Sequence, residues 1–210
     1  LIIMAEVIVV HPKNPQERNI QRIAELLRDG AVAVLPTDSG YALGCVLENK
    51  DARERIIRIR NVDKNHNFTL LCADLSELAT YSKVDNTAFR LIRNNTPGPY
   101  TFILKGTKEV PKKLMNEKRK TIGLRVPENN IISELLRYMG EPLMSVSLIL
   151  PDSEKAENDP YEIDDKIGKL VDVIVDGGYL AEQPTTVINL SEDGNVEVVR
   201  VGAGDPSPFL

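Results

Sequence analysis

AVAVLPTDSGYALG, from Ala31 to Gly44, is the stretch that decides the fold class. Ala31 to Leu35 is a short apolar run rich in valine, read as a strand. It breaks at Pro36-Thr37-Asp38-Ser39-Gly40, where hydroxyls, a carboxylate and bare backbone arrive together, a turn better suited to a ligand than to a core. Upstream, Asn14-Pro15-Gln16-Glu17 sets a capping residue, a proline and an acidic residue in the order that opens a helix. Ile20, Ile23, Ala24 and Leu27 follow at helical spacing, and Gly30 is placed to end the helix in a left-handed conformation. Helix, strand, polar turn is the unit from which α/β sheets are built.

Downstream the alternation continues. Helices are predicted near Ala52 to Ile59, Leu75 to Tyr81, Asn86 to Arg93 and Ile131 to Tyr138. Strands are predicted near Asn67 to Cys72, Tyr100 to Lys105, Thr121 to Val126 and Leu143 to Leu150, then Val171 to Val175, Thr185 to Leu190 and Val196 to Val201. Asp176-Gly177-Gly178 and Asp193-Gly194 punctuate the late strands. Leu1 to Val10 reads as a first strand; it carries Glu6 and has no basic leader, so a signal peptide is not expected. The pattern describes a single domain over 1–210, its core about 14–202, with a mixed sheet and flanking helices and the acidic stretch after Pro151 as an excursion from it.

At 210 residues the chain buries enough surface, roughly 70% of that exposed when unfolded, to need no covalent staples. With 42% hydrophobic and 27% charged residues it is neither disordered nor membrane-spanning in composition. Cys45 and Cys72 are the only cysteines, so a reduced cytoplasmic location is the expectation. The only histidines are His11 and His66, and no zinc-type spacing accompanies them; no metal site is expected, and His66 reads as a loop residue. The net charge of -5 conceals a contrast. Lys108, Lys112, Lys113, Lys118, Arg119 and Lys120 cluster between strands, whereas the segment from Asp152 to Asp165 is acidic. Either cluster is read as a solvated face; the basic one is read alternatively as a polyanion contact, since lysine and arginine displace counterions from phosphates.

No Walker-type loop is present, and Gly202-Ala-Gly204 does not extend into a dinucleotide fingerprint. Arg58 and Arg60 stand two apart, divergent on a helix and convergent on an extended segment. If the helix ends near Ile59 they form a pair suited to phosphate or carboxylate; otherwise they are surface partners of Glu54 or Glu48. Arg125 lies in an apolar run and needs a buried partner or a groove. Ser145 and Ser147 share one strand face, lining a groove or allowing close helix packing, and Thr185 and Thr186 carry the same two readings.

Taken in order, LPTDSGYALGC, RIR, TPGPYTFILKG, TIGLRVP, PLMSVSL and PTTVINL resemble the YrdC-like family over nearly the whole chain. NNTPGPYTFILKGTKEVP, EKRKTIG and the closing PFL are similar to its YciO branch. The resemblance implies one α/β domain, a twisted mixed sheet with a concave face that holds ATP and threonine, and a basic surface that takes double-stranded RNA or tRNA. It implies Arg58, Arg60, Arg125, Ser145 and Ser147 as the nucleotide and phosphate set, and Thr37, Asp38, Tyr41 and Thr185 around the amino-acid end. Lys112, Lys113, Lys118, Arg119 and Lys120 become RNA contacts. Where the synthase branch has a lysine and an asparagine, this chain has Arg58 and Ile149, and isoleucine offers no hydrogen bond to phosphate.

The function implied is RNA binding, with nucleotide binding, in the metabolism of tRNA threonylcarbamoyladenosine. The alternative is a threonylcarbamoyl-AMP synthase using ATP, bicarbonate and L-threonine; a hydrolase of the threonylcarbamoyl group is third. No tightly held cofactor is expected, ATP and Mg²⁺ entering as a substrate complex. No membrane partner is expected.

Overall fold

Asp38 and Ser39 close a tight turn between β2 (Ala33–Thr37) and β3 (Gly40–Val46), with Thr37 opposite Gly40 and Ala33 opposite Gly44. Gly40 has φ +105°, a left-handed value that glycine adopts without the strain a Cβ brings. A computed structural model describes residues 3–62 and 68–210. On one side of the hairpin lie β9 (Val173–Asp176) and then β1 (Glu6–Val9), both paired in parallel. On the other side follow β8 (Leu143–Ser147), β4 (Thr69–Leu71), β7 (Thr121–Arg125), β6 (Tyr100–Gly106), β10 (Thr186–Asn189) and β11 (Glu197–Arg200). β5 (Ser82–Lys83) flanks β6. The mixed α/β sheet is thus as the sequence predicts.

Two helices, α1 (Glu17–Arg28) and α5 (Asn130–Met139), cover half of one face. Ile23 and Leu27 from the first and Ile132 and Leu135 from the second meet Ala33, Leu35, Leu143 and Val173. The opposite face is covered by α2 (Lys50–Arg60), α3 (Leu75–Tyr81), α4 (Asn86–Asn94) and α6 (Pro160–Ile167), through Ile56, Leu78, Ile92 and Ile163 against Leu70, Phe102 and Ile188. Beyond β8 the first face stays open. Along β6, buried Tyr100, Phe102 and Leu104 alternate with partly exposed Thr101 and Ile103 and exposed Lys105, the pattern of a strand with one face wet.

That open face is the inside of a curl. Asp38, in the turn after β2, forms an ion pair with Arg125 of β7, four steps away in pairing order. Four steps in a flat sheet are about 19 Å, beyond the reach of an arginine and an aspartate, so the sheet must roll toward this side.

Several expectations are corrected. Asn14 does not cap α1: His11 Nδ1 accepts the N–H groups of Lys13 and Asn14, Gln16 turns its side-chain oxygen back to His11 N, and the helix begins at Glu17. The acidic excursion is partly helical: Asp159 accepts from Tyr161 N and Pro160 opens α6. The segment before it is pinned to the sheet, since Tyr41 N donates to Glu157 O and Glu157 N to Leu148 O. The first strand is shorter than Leu1 to Val10, and Asn67 and His66 lie outside the described residues.

α5 positions the face that α1 shares, and its N-terminus depends on Asn129, whose side chain accepts from Ile131 N and Ile132 N. Asn129→Ala is expected to lower stability by about 1 kcal/mol, measured as a shift in urea midpoint with unchanged slope.

Candidate functional site

The open face is floored by small and hydroxylated residues. Ser145 of β8 stands opposite Thr69 of β4, which stands opposite Gly123 of β7. A Cβ on Gly123 would lie 3.1 Å from both Thr69 Oγ1 and Thr101 Cγ2, so glycine keeps the floor flat where the two threonines crowd together. Ser147 shares this face, as the strand period requires, and is exposed; Ser145 is buried with its hydroxyl near Thr69 O at 3.4 Å.

At one end of the floor a polar cluster forms. Thr101 Oγ1 and Thr185 Oγ1 are 2.8 Å apart. Arg200, at the end of β11, donates through Nε and Nη2 to Thr185 O at 3.0 and 2.8 Å, and through Nη2 to Thr185 Oγ1 at 3.1 Å. Burial pushes the Arg125 guanidinium below its ordinary pKa; the Asp38 carboxylate opposes that shift, and the positive charge of nearby Arg200 adds to it. Two guanidiniums therefore share this end of the face, and among the described residues a single carboxylate, Asp38, is ion-paired with either. Asp38 also accepts from Glu128 N at 2.8 Å, and Arg125 Nε is buried without a partner. A surplus positive charge with an unengaged donor is the chemistry of an anion site.

Thr37 and Tyr41 reach this region in a different way from that expected. The Thr37 hydroxyl donates to Gly40 O at 2.7 Å and accepts from Ser39 N at 3.0 Å, so it fastens the turn. The Tyr41 hydroxyl donates to Gly178 O at 2.6 Å and accepts from Gly177 N at 3.1 Å, tying the segment after β9 to the hairpin. Burial drives its phenol well above the ordinary value.

Arg58 and Arg60 do not converge. The helix runs through Arg60 and ends at Asn61 in a left-handed conformation, so residues two apart point to different sides. Arg58 is exposed; Arg60 is half-buried and donates from Nη1 to Ile149 O at 2.9 Å, just past Ser147. Burial lowers the Arg60 pKa, and its Nε has no partner. Lys112, Lys113, Lys118, Arg119 and Lys120 are exposed on the connection from β6 to β7. Because β6 and β10 are parallel, this connection lies at the far end of the same strands that begin at Tyr100 and Thr186.

Arg200, Thr69, Thr101 and Gly123 were not singled out by sequence. Arg200 had a signal: like Arg125, it closes an apolar strand, Val196 to Val201. Among the described residues no group of three or more His, Cys, Asp or Glu side chains is arranged to hold a metal ion. Both cysteines are buried, which pushes the Cys45 thiol up to about 12 and that of Cys72 well up too, so neither is a thiolate near neutrality. No described helix is long and apolar enough to cross a membrane.

These features define a curled α/β sheet whose inner face carries two guanidiniums, with Asp38 ion-paired to Arg125. The profile of the Sua5_yciO_yrdC family, described as "Telomere recombination", matches residues 25–202, and the chain belongs to this family. YciO of Escherichia coli (strain K12) is 61% identical over 207 residues, covering 99% of this chain and 100% of that one. The crystal structure of E. coli YciO superposes with a TM-score of 0.94 at 60% identity over 99% of this chain and 100% of that one. Threonylcarbamoyl-AMP synthase of Vibrio vulnificus (strain YJ016) is 26% identical over 162 residues, 76% of this chain and 86% of that one. P. abyssi Sua5 complexed with L-threonine shares the fold, with a TM-score of 0.85 at 23% identity over 93% of this chain and 57% of that one.

Proposed function

We propose that the inner face binds the anionic end of an adenosine-type nucleotide, and that the chain recognises threonylcarbamoyl-bearing adenosine, free or in tRNA, without forming the adenylate itself. The observation that carries this reading is the Arg125 and Arg200 pair, held over hydroxyls and, among the described residues, ion-paired by Asp38 alone. Ile149 argues against adenylate formation: at the end of β8, where the synthase branch has an asparagine, its side chain donates nothing and its carbonyl occupies Arg60. Magnesium enters with the nucleotide phosphates, and the exposed lysines of the connection between β6 and β7 take the RNA backbone. The cytoplasm is the compartment such ligands require.

Calorimetry with AMP, ATP-Mg²⁺, L-threonine and tRNA, modified and unmodified, tests this. AMP is expected to bind, and Arg200→Ala to weaken it at least about tenfold through loss of a charge-assisted contact. Affinity for tRNA is expected to fall steeply with salt, the slope shrinking by about one for each of Lys112, Lys113 and Lys118 changed to glutamine. Absence of heat with all four ligands overturns the reading.

Synthase activity is the second reading, favoured by the sequence similarity to the Vibrio enzyme. It requires pyrophosphate release from ATP with bicarbonate and threonine. Its appearance only in the Arg58→Lys, Ile149→Asn double variant would place the loss at those two positions.

A further inference from the structure

The open face does not end at the guanidinium cluster. Two residues further along β10 from Val187, Asn189 lies on the same face, opposite Glu197 of β11. There a hollow of about 390 Å³ is lined by Arg119, Asn189, Ser191, Glu192, Asn195 and Glu197. That volume falls in the range of about 300 to 1,000 Å³ that suits one small ligand or part of a larger one. A neighbouring hollow under the same hairpin measures about 60 Å³, room for a few waters only.

The lining has a directional chemistry. Asn189 Oδ1 accepts from Ser191 N at 3.0 Å and Ser191 Oγ at 2.6 Å, which fixes the amide and leaves its NH₂ to donate. Asn195 adds a second amide. Carboxylates at Glu192 and Glu197 repel a phosphate and accept from an amino group. Arg119, exposed and flanked by exposed Lys118 and Lys120, brings a cation able to contact phosphate to the same lining. Amides and carboxylates in one hollow, with Arg119 in the same lining, match the edge of a nucleobase whose backbone passes over the cations. An acidic peptide meets the two glutamates instead.

Resting on the reading given above for Arg125 and Arg200, we infer that this hollow seats the base of an RNA nucleotide neighbouring the one whose anionic group lies at the guanidinium cluster. The ligand of the face is then a strand of RNA rather than a free nucleotide, lying along β6 and β10 from Arg200 toward Arg119. Asn189 and Asn195 are the base-reading residues.

The test compares AMP, the ribotetranucleotide of adenosine, and a series of the same tetranucleotide with one abasic residue at each position. The intact tetranucleotide is expected to bind at least about tenfold tighter than AMP. One abasic position is expected to lose about tenfold, the discrimination that one well-read base supplies. Asn189→Leu and, separately, Asn195→Ala are expected to erase the abasic difference while leaving AMP affinity within about twofold. If AMP binds but the tetranucleotide binds no tighter, if every abasic ligand matches the intact one, or if polyglutamate competes equally, the hollow is no base site and the nucleotide reading stands. If AMP also fails to bind, both fall together.

Discussion

Asp38→Asn is expected to destabilise the fold by about 3–5 kcal/mol, because it leaves the Arg125 guanidinium buried and without its counter-charge. Arg125 and Asp38 side chains are only 6% and 10% exposed, so water cannot replace the lost carboxylate. Asparagine retains an acceptor for Glu128 N, but its NH₂ then faces the Arg125 Nη2 donor, so the hydrogen bond to Arg125 is lost together with the charge. Urea unfolding measures it directly. The double variant Asp38→Asn, Arg125→Met removes both charges and is expected to recover most of the stability, since a buried pair replaced by apolar atoms of similar volume is close to neutral. It should not recover AMP binding. A single variant within about 1 kcal/mol of the parent, a size typical of exposed pairs, would mean that the curl of the sheet does not depend on this contact.

This ion pair also marks where sequence reading stops. Arg125 in an apolar run demanded a buried partner, and Asp38 was marked as part of a ligand turn, but nothing in either segment says that they meet across the three strands between β2 and β7. That pairing follows from the curl, which is a property of the whole sheet. Same-face placement of Ser145 and Ser147 was legible because strand period is local. The wet side of β6, where Thr101, Ile103 and Lys105 alternate with buried Tyr100, Phe102 and Leu104, was not read from the sequence, which predicted only the strand. The divergence of Arg58 and Arg60 hinged on one residue of helix length: α2 runs past Ile59 through Arg60 and stops only at Asn61 in the left-handed region, which parts them. Helix α6 had its signal in Asp159-Pro160, hidden within a segment read for charge alone. The hydroxyls of Thr37 and Tyr41, marked in the sequence for the amino-acid end, went to backbone, since a tight turn and a buried phenol each need partners.

Gly202→Ala is expected to cost both stability and ligand affinity, for a reason that joins the strap after β9 to the cluster. The connection from Gly177 to Thr185 arrives at β10 against the end of β11. A Cβ at Gly202 would collide with Pro184 O and Thr185 O, which are backbone and cannot rotate away. The same short stretch is held by Gly202 N donating to Thr186 Oγ1 at 2.9 Å and Ala203 N donating to Pro184 O at 2.8 Å. Thr185 O is also the acceptor that fixes the Arg200 fork. Forcing the two segments apart should cost about 1–3 kcal/mol by overpacking and release Arg200 from its place beside Arg125, weakening AMP at least about tenfold. Gly140→Ala is the control: its φ of +70° makes alanine strained at the end of α5, yet nothing lies within 4 Å of the added methyl. It should lower stability by about 1 kcal/mol and leave AMP affinity unchanged. If Gly202→Ala behaves like Gly140→Ala, losing stability alone, then the Thr185 carbonyl does not position Arg200 for the ligand, and the cluster is held by Asp38 and Arg125 without it.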